Sequence, residues 1–404
     1  MREVGCGERG VGGLRYTLND VCFLITDGSH FSPANEEVGY PMLSVKDMDE
    51  TDFNLNNCKH IGEEAFSVLA TNGCVPKLND VVVAKDGSYL KTAFPIKEER
   101  KIALLSSIAI LRPNTKLVYP TYLSYYLKSD SVYRMVSLNY ISGTALKRII
   151  LKGIKKIPIN LPDLGEQKRR AALLDQIYDI IQKRKEQLSA LDDLIKARFV
   201  EMFGEPDTNP MRWPEKLLSE MLNVLGGYAF KSDGFSETNG IPVLRIGNIN
   251  AGLYKPVNMV FWEEDERLER YIMHPGDLVM SLTGTVGKDD YGNVCILGSD
   301  YSKYYLNQRN AKLELKEGLE KHYLSQLLRF DKIKKRLTGI SRGVRQANIS
   351  NKDILSLRVP IPPLELQQQF AAFVAQIDKS KAAIQKSLDE TQLLFDSLMQ
   401  QYFG

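Results

Sequence analysis

Lys147, Arg148, Lys152, Lys155 and Lys156 fall in the ten residues from 147 to 156, with no acid among them. Lys332, Lys334, Lys335, Arg336, Arg342 and Arg345 fall between 332 and 345, again without an acid. Cationic runs interrupted by Gly and Ser can hold phosphates through side chains and backbone N–H groups. A basic run is more often a solvated face, but two at equivalent places in a chain favour a shared polyanion. Covalent chemistry is harder to assemble. His30 follows Ser29 in "TDGSH", and adjacent residues rarely give a base the geometry to activate a nucleophile. His30, His60, His274 and His322 are isolated, and no zinc spacing of the H-E-x-x-H or H-x-E…P-C-x-x-C kind is present. No G-x-x-x-x-G-K-[ST] loop occurs, no strand is followed by G-x-G-x-x-G, and no [DN]-P-P-[YF] motif for base methylation is present.

The elements that must carry these clusters are written twice. A shift of 200 residues takes Gly143 to Gly343, Ile149 to Ile349, Ile154 to Ile354, Pro162 to Pro362, Leu164 to Leu364, Gln167 to Gln367 and Phe203-Gly204 to Phe403-Gly404, without a gap. Upstream the match loosens to "GYPMLSV" against "GIPVLRI" and "LNDVVVAKDGS" against "PGDLVMSLTGT". Each basic cluster lies just before a proline-rich hinge, "INLPDLGEQKR" or "VPIPPLELQQQ". Beyond Gly165, residues to 202 contain no Pro or Gly, and residues 365–402 contain neither. Both stretches favour helix, and the prolines set their starts. Steps of four and three from Arg170 meet Leu174, Ile177, Ile181, Leu188, Leu191, Ile195 and Met202, seven apolar positions of ten. The second copy gives Phe370, Val374, Ile377, Ile384, Leu388, Phe395, Leu398 and Tyr402, eight of ten. A heptad sustained this far is a coiled-coil signal. Each helix would be about 55 Å long, and alone in water would be poorly stable. The narrow seam suits a partner helix, so the two are expected to pack on each other; the alternative is that each covers its own domain's core.

The front parts, 15–157 and 213–357, read as mixed α/β with short strands. "DVVVA" (80–84), "KIALLSSIAIL" (101–111), "IPVLRIG" (241–247) and "DLVMSL" (277–282) are expected strands; "PTYLSYYLKSD" (120–130) and "KHYLSQLLRFDKIKKRL" (321–337) are expected helices. "GEPDTNPMRWPEK" (204–216), with three prolines, marks a domain boundary. The expected divisions are a first domain at 1–157, a helical region at 158–204, a linker and second domain at 205–357, and a helical region at 358–404. Composition is that of a globular protein, 43% apolar and 25% charged, with a formal charge of only +3. Polyanion binding must therefore be local. Five scattered cysteines without C-x-x-C suit a reducing cytoplasm, no 18-residue apolar run predicts a membrane span, and the N-terminal residues lack the apolar core of a signal peptide.

The duplicated "IPINLPDLGEQKR" and "LRVPIPPLELQQQ", with "DGSHFSP", "GIPVLRIGNI", "GDLVMSLTGTVGK", "SRGVRQANIS" and "EMFGEPDTNPMRWP", resemble the specificity (S) subunit of Type I restriction–modification systems over essentially the whole chain. The first copy departs from the pattern: "SGTALKRII" lacks the Gln and Asn that the second copy has at Gln346 and Asn348. The resemblance implies a mixed α/β (α+β) fold with two target-recognition domains related by a pseudo-two-fold internal repeat. Two long helices would pack between them as an antiparallel coiled coil. It implies a cytoplasmic DNA-binding subunit without cofactor, metal or catalysis of its own. Its partners would be double-stranded DNA, two methyltransferase subunits, and restriction subunits for translocation and cleavage.

On that reading Ser29, His30, Lys85 and Lys91 in the first domain, and Arg245, Thr283, Arg309, Arg342, Arg345 and Gln346 in the second, are the candidate base contacts. Lys147, Arg148, Lys335 and Arg336 are candidate phosphate contacts. Unlike front parts imply an asymmetric, bipartite target. The rival reading is a non-catalytic two-fold-like scaffold that holds two copies of a protein partner and reads no DNA.

Overall fold

The computed structural model describes residues 9–10, 13–87, 90–142, 148–249, 252–285, 290–339 and 346–404. The chain divides into two compact units. The first is Met1–Lys185 with Lys386–Gly404, and the second is Glu186–Gln385. The fold is mixed α+β, and both units are built to one plan.

In the first unit an antiparallel four-stranded sheet runs in the order Cys22–Asp27, Ile108–Pro113, Val81–Ala84, Ala93–Pro95. The second unit repeats it as Leu222–Gly226, Asn310–Leu315, Leu278–Ser281, Val294–Ile296. Beside each lies a smaller sheet with one parallel pair, Tyr40–Leu43 with Ala103–Leu104 and Ile241–Leu244 with Tyr304–Leu306. The central strands are covered on both faces: Val81 to Ala84 and Leu278 to Ser281 are all buried, and all but Ser281 are apolar. The stretch 101–111 is two strands rather than one. The chain leaves the small sheet at Leu104, turns where the Ile108 amide donates to the Leu105 carbonyl (3.0 Å), and joins the large sheet at Ile108. Likewise 321–337 is two helices, Lys321–Arg329 and Asp331–Thr338, broken at Phe330, whose extended backbone (ψ 128°) cannot continue a helix. Pro120–Lys128 is followed by a further helix, Asp130–Asn139, which the sequence reading did not separate out.

The long helices are Leu164–Phe203 and Leu364–Phe403, 40 residues each, or about 60 Å. Their hinges explain the repeated punctuation. Gln167 is fully buried; its Nε2 donates to the Pro162 carbonyl (2.8 Å) and the Leu117 carbonyl (3.0 Å), and its Oε1 accepts from the Tyr119 amide (2.8 Å). Gln367, also fully buried, donates to Pro362 (2.8 Å) and Gly318 (3.2 Å) and accepts from the Glu320 amide (2.8 Å). One buried amide thus ties hinge, long helix and the loop that leads into Pro120–Lys128 or Lys321–Arg329. The hinges differ one residue upstream of the helix. Asp163 Oδ1 accepts from the Glu166 amide (3.0 Å), whereas Pro363 offers only its carbonyl. Asp163→Ala should cost the first helix about 1 kcal/mol of N-terminal stability. It would be read as roughly five-fold faster exchange of the Glu166 amide; unchanged exchange would mean the cap does not form in solution.

Both helices contribute to each unit's core. In the first unit Ala171 and Leu174 share a cluster with Phe403. The Arg170 guanidinium lies 4.8 Å from the Tyr402 ring centroid, and Phe403 lies 5.1 Å from Tyr122. In the second, Phe199 and Phe203 lie 5.5 and 5.7 Å from Phe370, Phe203 lies 4.9 Å from Tyr323, and Lys381 Nζ pairs with Asp192 Oδ1 at 2.5 Å. Leu174, Ile177, Ile181, Ile195 and Val374 are buried; Leu188, Leu191, Ile377, Ile384, Leu388, Phe395 and Leu398 are half-buried. Gly204 ends the first helix in the left-handed region (φ 77°) that glycine adopts freely, and the Trp213 indole donates to the Phe203 carbonyl (3.0 Å), so the proline-rich stretch after it is folded against the helix end. No described helix is long and apolar enough to cross a membrane.

Candidate nucleic-acid interface

Each unit presents the same backbone frame at one end of its large sheet. In the first, the Gly28 amide donates to Ile108 (3.1 Å), the Ser29 amide to Leu104 (2.7 Å) and the Ser106 amide to Ser29 (2.9 Å). In the second, Gly227 donates to Asn310 (3.1 Å), Tyr228 to Leu306 (2.9 Å) and Gln308 to Tyr228 (2.9 Å). Only glycine fits the crossing: a Cβ would stand 2.1 Å from the Leu104 carbonyl oxygen at Gly28, and 2.2 Å from that of Asn307 at Gly227. A second pair of matched bonds adds the next loop, with Lys85 to Ser107 (2.8 Å) and Ile149 to Lys85 (3.0 Å), against Leu282 to Arg309 and Ile349 to Leu282 (both 2.8 Å).

The side chains on this common frame differ. The first unit carries two acid–base pairs. Lys85 is buried with its ammonium on Asp27, and His30, whose side chain is 78% exposed, stands 3.5 Å from the same carboxylate. Arg148, 52% exposed, reaches Asp86 at 3.7 Å across an isolated bridge. The second unit has Gly226 where the first has Asp27, Leu282 for Lys85, Thr283 for Asp86, Asn348 for Arg148 and Arg309 for Ser107. There Thr283 Oγ1 donates to Asn348 Oδ1 (3.0 Å) inside the two-stranded pair Thr283–Thr285 with Gln346–Asn348, and Arg309 is exposed. Among the described residues, these matched positions are charged in the first unit and, Arg309 apart, uncharged in the second.

The candidate contacts sort accordingly. His30, Arg148 and Arg309 are exposed on the frame. Ser29 is buried and spends its hydroxyl on the Phe31 carbonyl (2.6 Å). Lys85 faces inward; its partner lies 58 residues away, which is why sequence order hid the pair. Thr283 is buried on Asn348. Arg245, half-buried just after the strand Ile241–Leu244, donates to the Asn258 carbonyl. Lys91 is exposed beside the Tyr133 ring, 5.6 Å from its centroid. In the second basic cluster Lys335 is exposed and Arg336 donates to the Arg358 carbonyl (3.1 Å), while Lys334 is buried on Asn293 (2.7 Å). Lys147, Arg342, Arg345 and the side chain of Gln346 lie outside the described residues.

Sequence reasoning missed Asp27, Asp86, Tyr228 and Gln308. For Asp86 the signal was present in the overlay of "LNDVVVAKDGS" on "PGDLVMSLTGT", which sets Lys85 against Leu282 and Asp86 against Thr283; Asp27, Tyr228 and Gln308 lie outside it. A change of side-chain type at a constant backbone position is what a variable reading surface requires.

Burial pushes the Cys22 and Cys295 thiols up to about 12, and raises Cys58 and Cys74, so each stays protonated and a poor nucleophile. Among the described residues no three His, Cys, Asp or Glu side chains converge as a metal site. A cavity of about 140 Å³ in the second unit is walled by Asp192, Cys295, His322, Arg329 and Lys381, and Arg329 already donates to the carbonyls of Gly252 (2.6 Å) and Val294 (3.3 Å).

The two units, alike in plan, match one known family. The family model for the Type I restriction modification DNA specificity domain matches residues 15–190 and again 210–391. The chain belongs to this family, and its function is DNA target recognition for a Type I restriction–modification system. It is 27% identical to the Type I restriction enzyme MjaVIII specificity subunit of Methanocaldococcus jannaschii, over 80% of this chain and 79% of that one. It is 24% identical to the Type I restriction enzyme EcoKI specificity subunit of Escherichia coli K12, over 72% and 65% of the two chains. The crystal structure of the Type I S subunit from M. genitalium matches in fold over 96% of both chains, with a TM-score of 0.57 at 16% identity.

Proposed function

We propose that each unit reads one half of a bipartite, asymmetric duplex target. The two long helices pack antiparallel as a coiled coil that fixes the spacing of the halves. The chain delivers methyltransferase subunits, and with them restriction subunits, to that target and performs no chemistry itself. The observation that carries this reading is the matched frame with unlike side chains, Asp27–Lys85 and Asp86–Arg148 against Thr283–Asn348 and Arg309. Identical heads would read a palindrome; these cannot. Arg309, exposed on the second head, is the strongest base-reading candidate, because an arginine fork on guanine discriminates by roughly 1–3 kcal/mol. Lys152, Lys155, Lys156 and Lys335, all exposed, are suited to phosphates and to a steep salt dependence.

The test is to co-express the chain with its methyltransferase and sequence the modified sites. Arg309→Ala is expected to relax one base position in one half-sequence and leave the other half intact. Relaxation in both halves would contradict independent heads. A wild-type complex that binds duplexes without sequence preference across a salt titration would favour the protein scaffold instead.

A further inference from the structure

Phe31 is a large apolar side chain that the first unit's frame leaves open to solvent. It is 71% exposed, yet its backbone is held on both sides. The buried Ser29 hydroxyl donates to the Phe31 carbonyl (2.6 Å) and accepts from the Phe31 amide (3.1 Å). Ser29 is itself fixed by its amide on Leu104, and just beyond, Lys59 Nζ donates to Ser32 Oγ (2.7 Å) and to the Pro33 carbonyl. The ring is presented from a pinned loop and forgoes the burial energy of a whole aromatic side chain.

The frame does not require this exposure. Two residues beyond Tyr228, which matches Ser29, stands Phe230, and it is only 8% exposed. Its ring centroid lies 5.2 Å from Trp262 and 5.5 Å from Tyr305. One frame buries the phenylalanine and the other displays it. The displayed ring follows the exposed His30 and shares its head with the exposed Arg148. A phenyl ring has no donor for a phosphate. What it can take from duplex DNA is apolar base surface, either a thymine methyl in the major groove or the face of a base at an opened step.

We infer that Phe31 is a specificity-determining residue that makes an apolar contact with a base in the half-sequence read by the first unit. This rests on the proposed function. The test uses the methyltransferase complex and duplexes carrying the sequence found modified by the wild type. Phe31→Ala is expected to weaken binding to that sequence about ten-fold. Non-specific binding and its salt slope should be unchanged, since no phosphate contact is lost, and Phe31→Leu should restore part of the affinity. Replacing thymines of the half-sequence by uracil one at a time should weaken the wild type but not Phe31→Ala if the contact is a methyl. If instead a step is opened, 2-aminopurine there should brighten with the wild type and not with the variant. Unchanged affinity and unchanged modified sites in Phe31→Ala, at an unchanged melting temperature, would overturn the inference while leaving the proposed function standing. A wild-type complex without sequence preference would remove the proposed function itself.

Discussion

Gln367→Leu is expected to destabilise the second unit by about 3 kcal/mol, because it strands three backbone groups at once. The wild-type amide satisfies the Pro362 carbonyl, the Gly318 carbonyl and the Glu320 amide at 2.8, 3.2 and 2.8 Å, in a site with no solvent exposure. Leucine fills similar volume but offers neither donor nor acceptor. Each group left without a partner in a buried place costs about 1–3 kcal/mol, partly offset by the apolar gain of the leucine itself. The loss falls at the start of the helix, where the hinge carbonyl and the loop carrying Glu320 meet. Scanning calorimetry should show one transition moved down and the other nearly unmoved, and Gln167→Leu should reverse the pattern. A single transition lowered equally by both variants would mean that the units do not melt separately. No lowering at all would mean that the buried amide is not what fastens hinge to loop.

Inserting one heptad into each long helix, after Lys185 and after Gln385, should lengthen the unread spacer of the target by about three base pairs. Both half-sequences should remain as they were. Seven residues add about 10 Å, close to three steps of the duplex, and a whole heptad keeps the seam in phase. Three steps also turn the duplex by roughly 100°, which the added heptad does not follow. Binding at the new spacing should therefore be weaker than the parent's, and it should recover for spacers that restore the phase. Sequencing of modified sites reads both effects. A spacer of unchanged length would sink the idea that the helices act as a ruler, without touching the assignment of the heads.

The parts of this architecture written in short-range order were legible. The proline hinges and the residues without Pro or Gly after them bracket both helices to within a residue or two. The apolar run 81–84 is a buried strand because its alternation is absent and three of its four residues are β-branched valines. What failed depends on partners distant in the chain. Lys85 looks like a free cation until Asp27 is brought beneath it by the pairing of three strands. The stretch around Ser106 looks like one strand, since nothing local says that Leu104 and Ile108 belong to different sheets. The choice between a partner helix and a domain core as cover for the apolar seam was a false alternative at the helix ends, where Phe199, Phe203 and Phe370 serve both. Phe31 and Phe230 are the same letter at matched places and have opposite fates, decided by whether Trp262 and Tyr305 are there to cover the ring.

The division of the chain also sets an order of events during synthesis. The second unit is one uninterrupted stretch, Glu186–Gln385, so every contact of its core is available as soon as that stretch has left the ribosome. The first unit is emitted earlier yet completed later, since its core includes Phe403, with Phe395 and Leu398 packed against it. Until those side chains arrive, Tyr122 and Leu174 lack part of their cover, and closing the unit means bringing together segments some two hundred residues apart. Such a closure is slow compared with local folding, and the wait leaves apolar surface open. The half of the molecule whose synthesis starts first is thus the half whose core can be completed last.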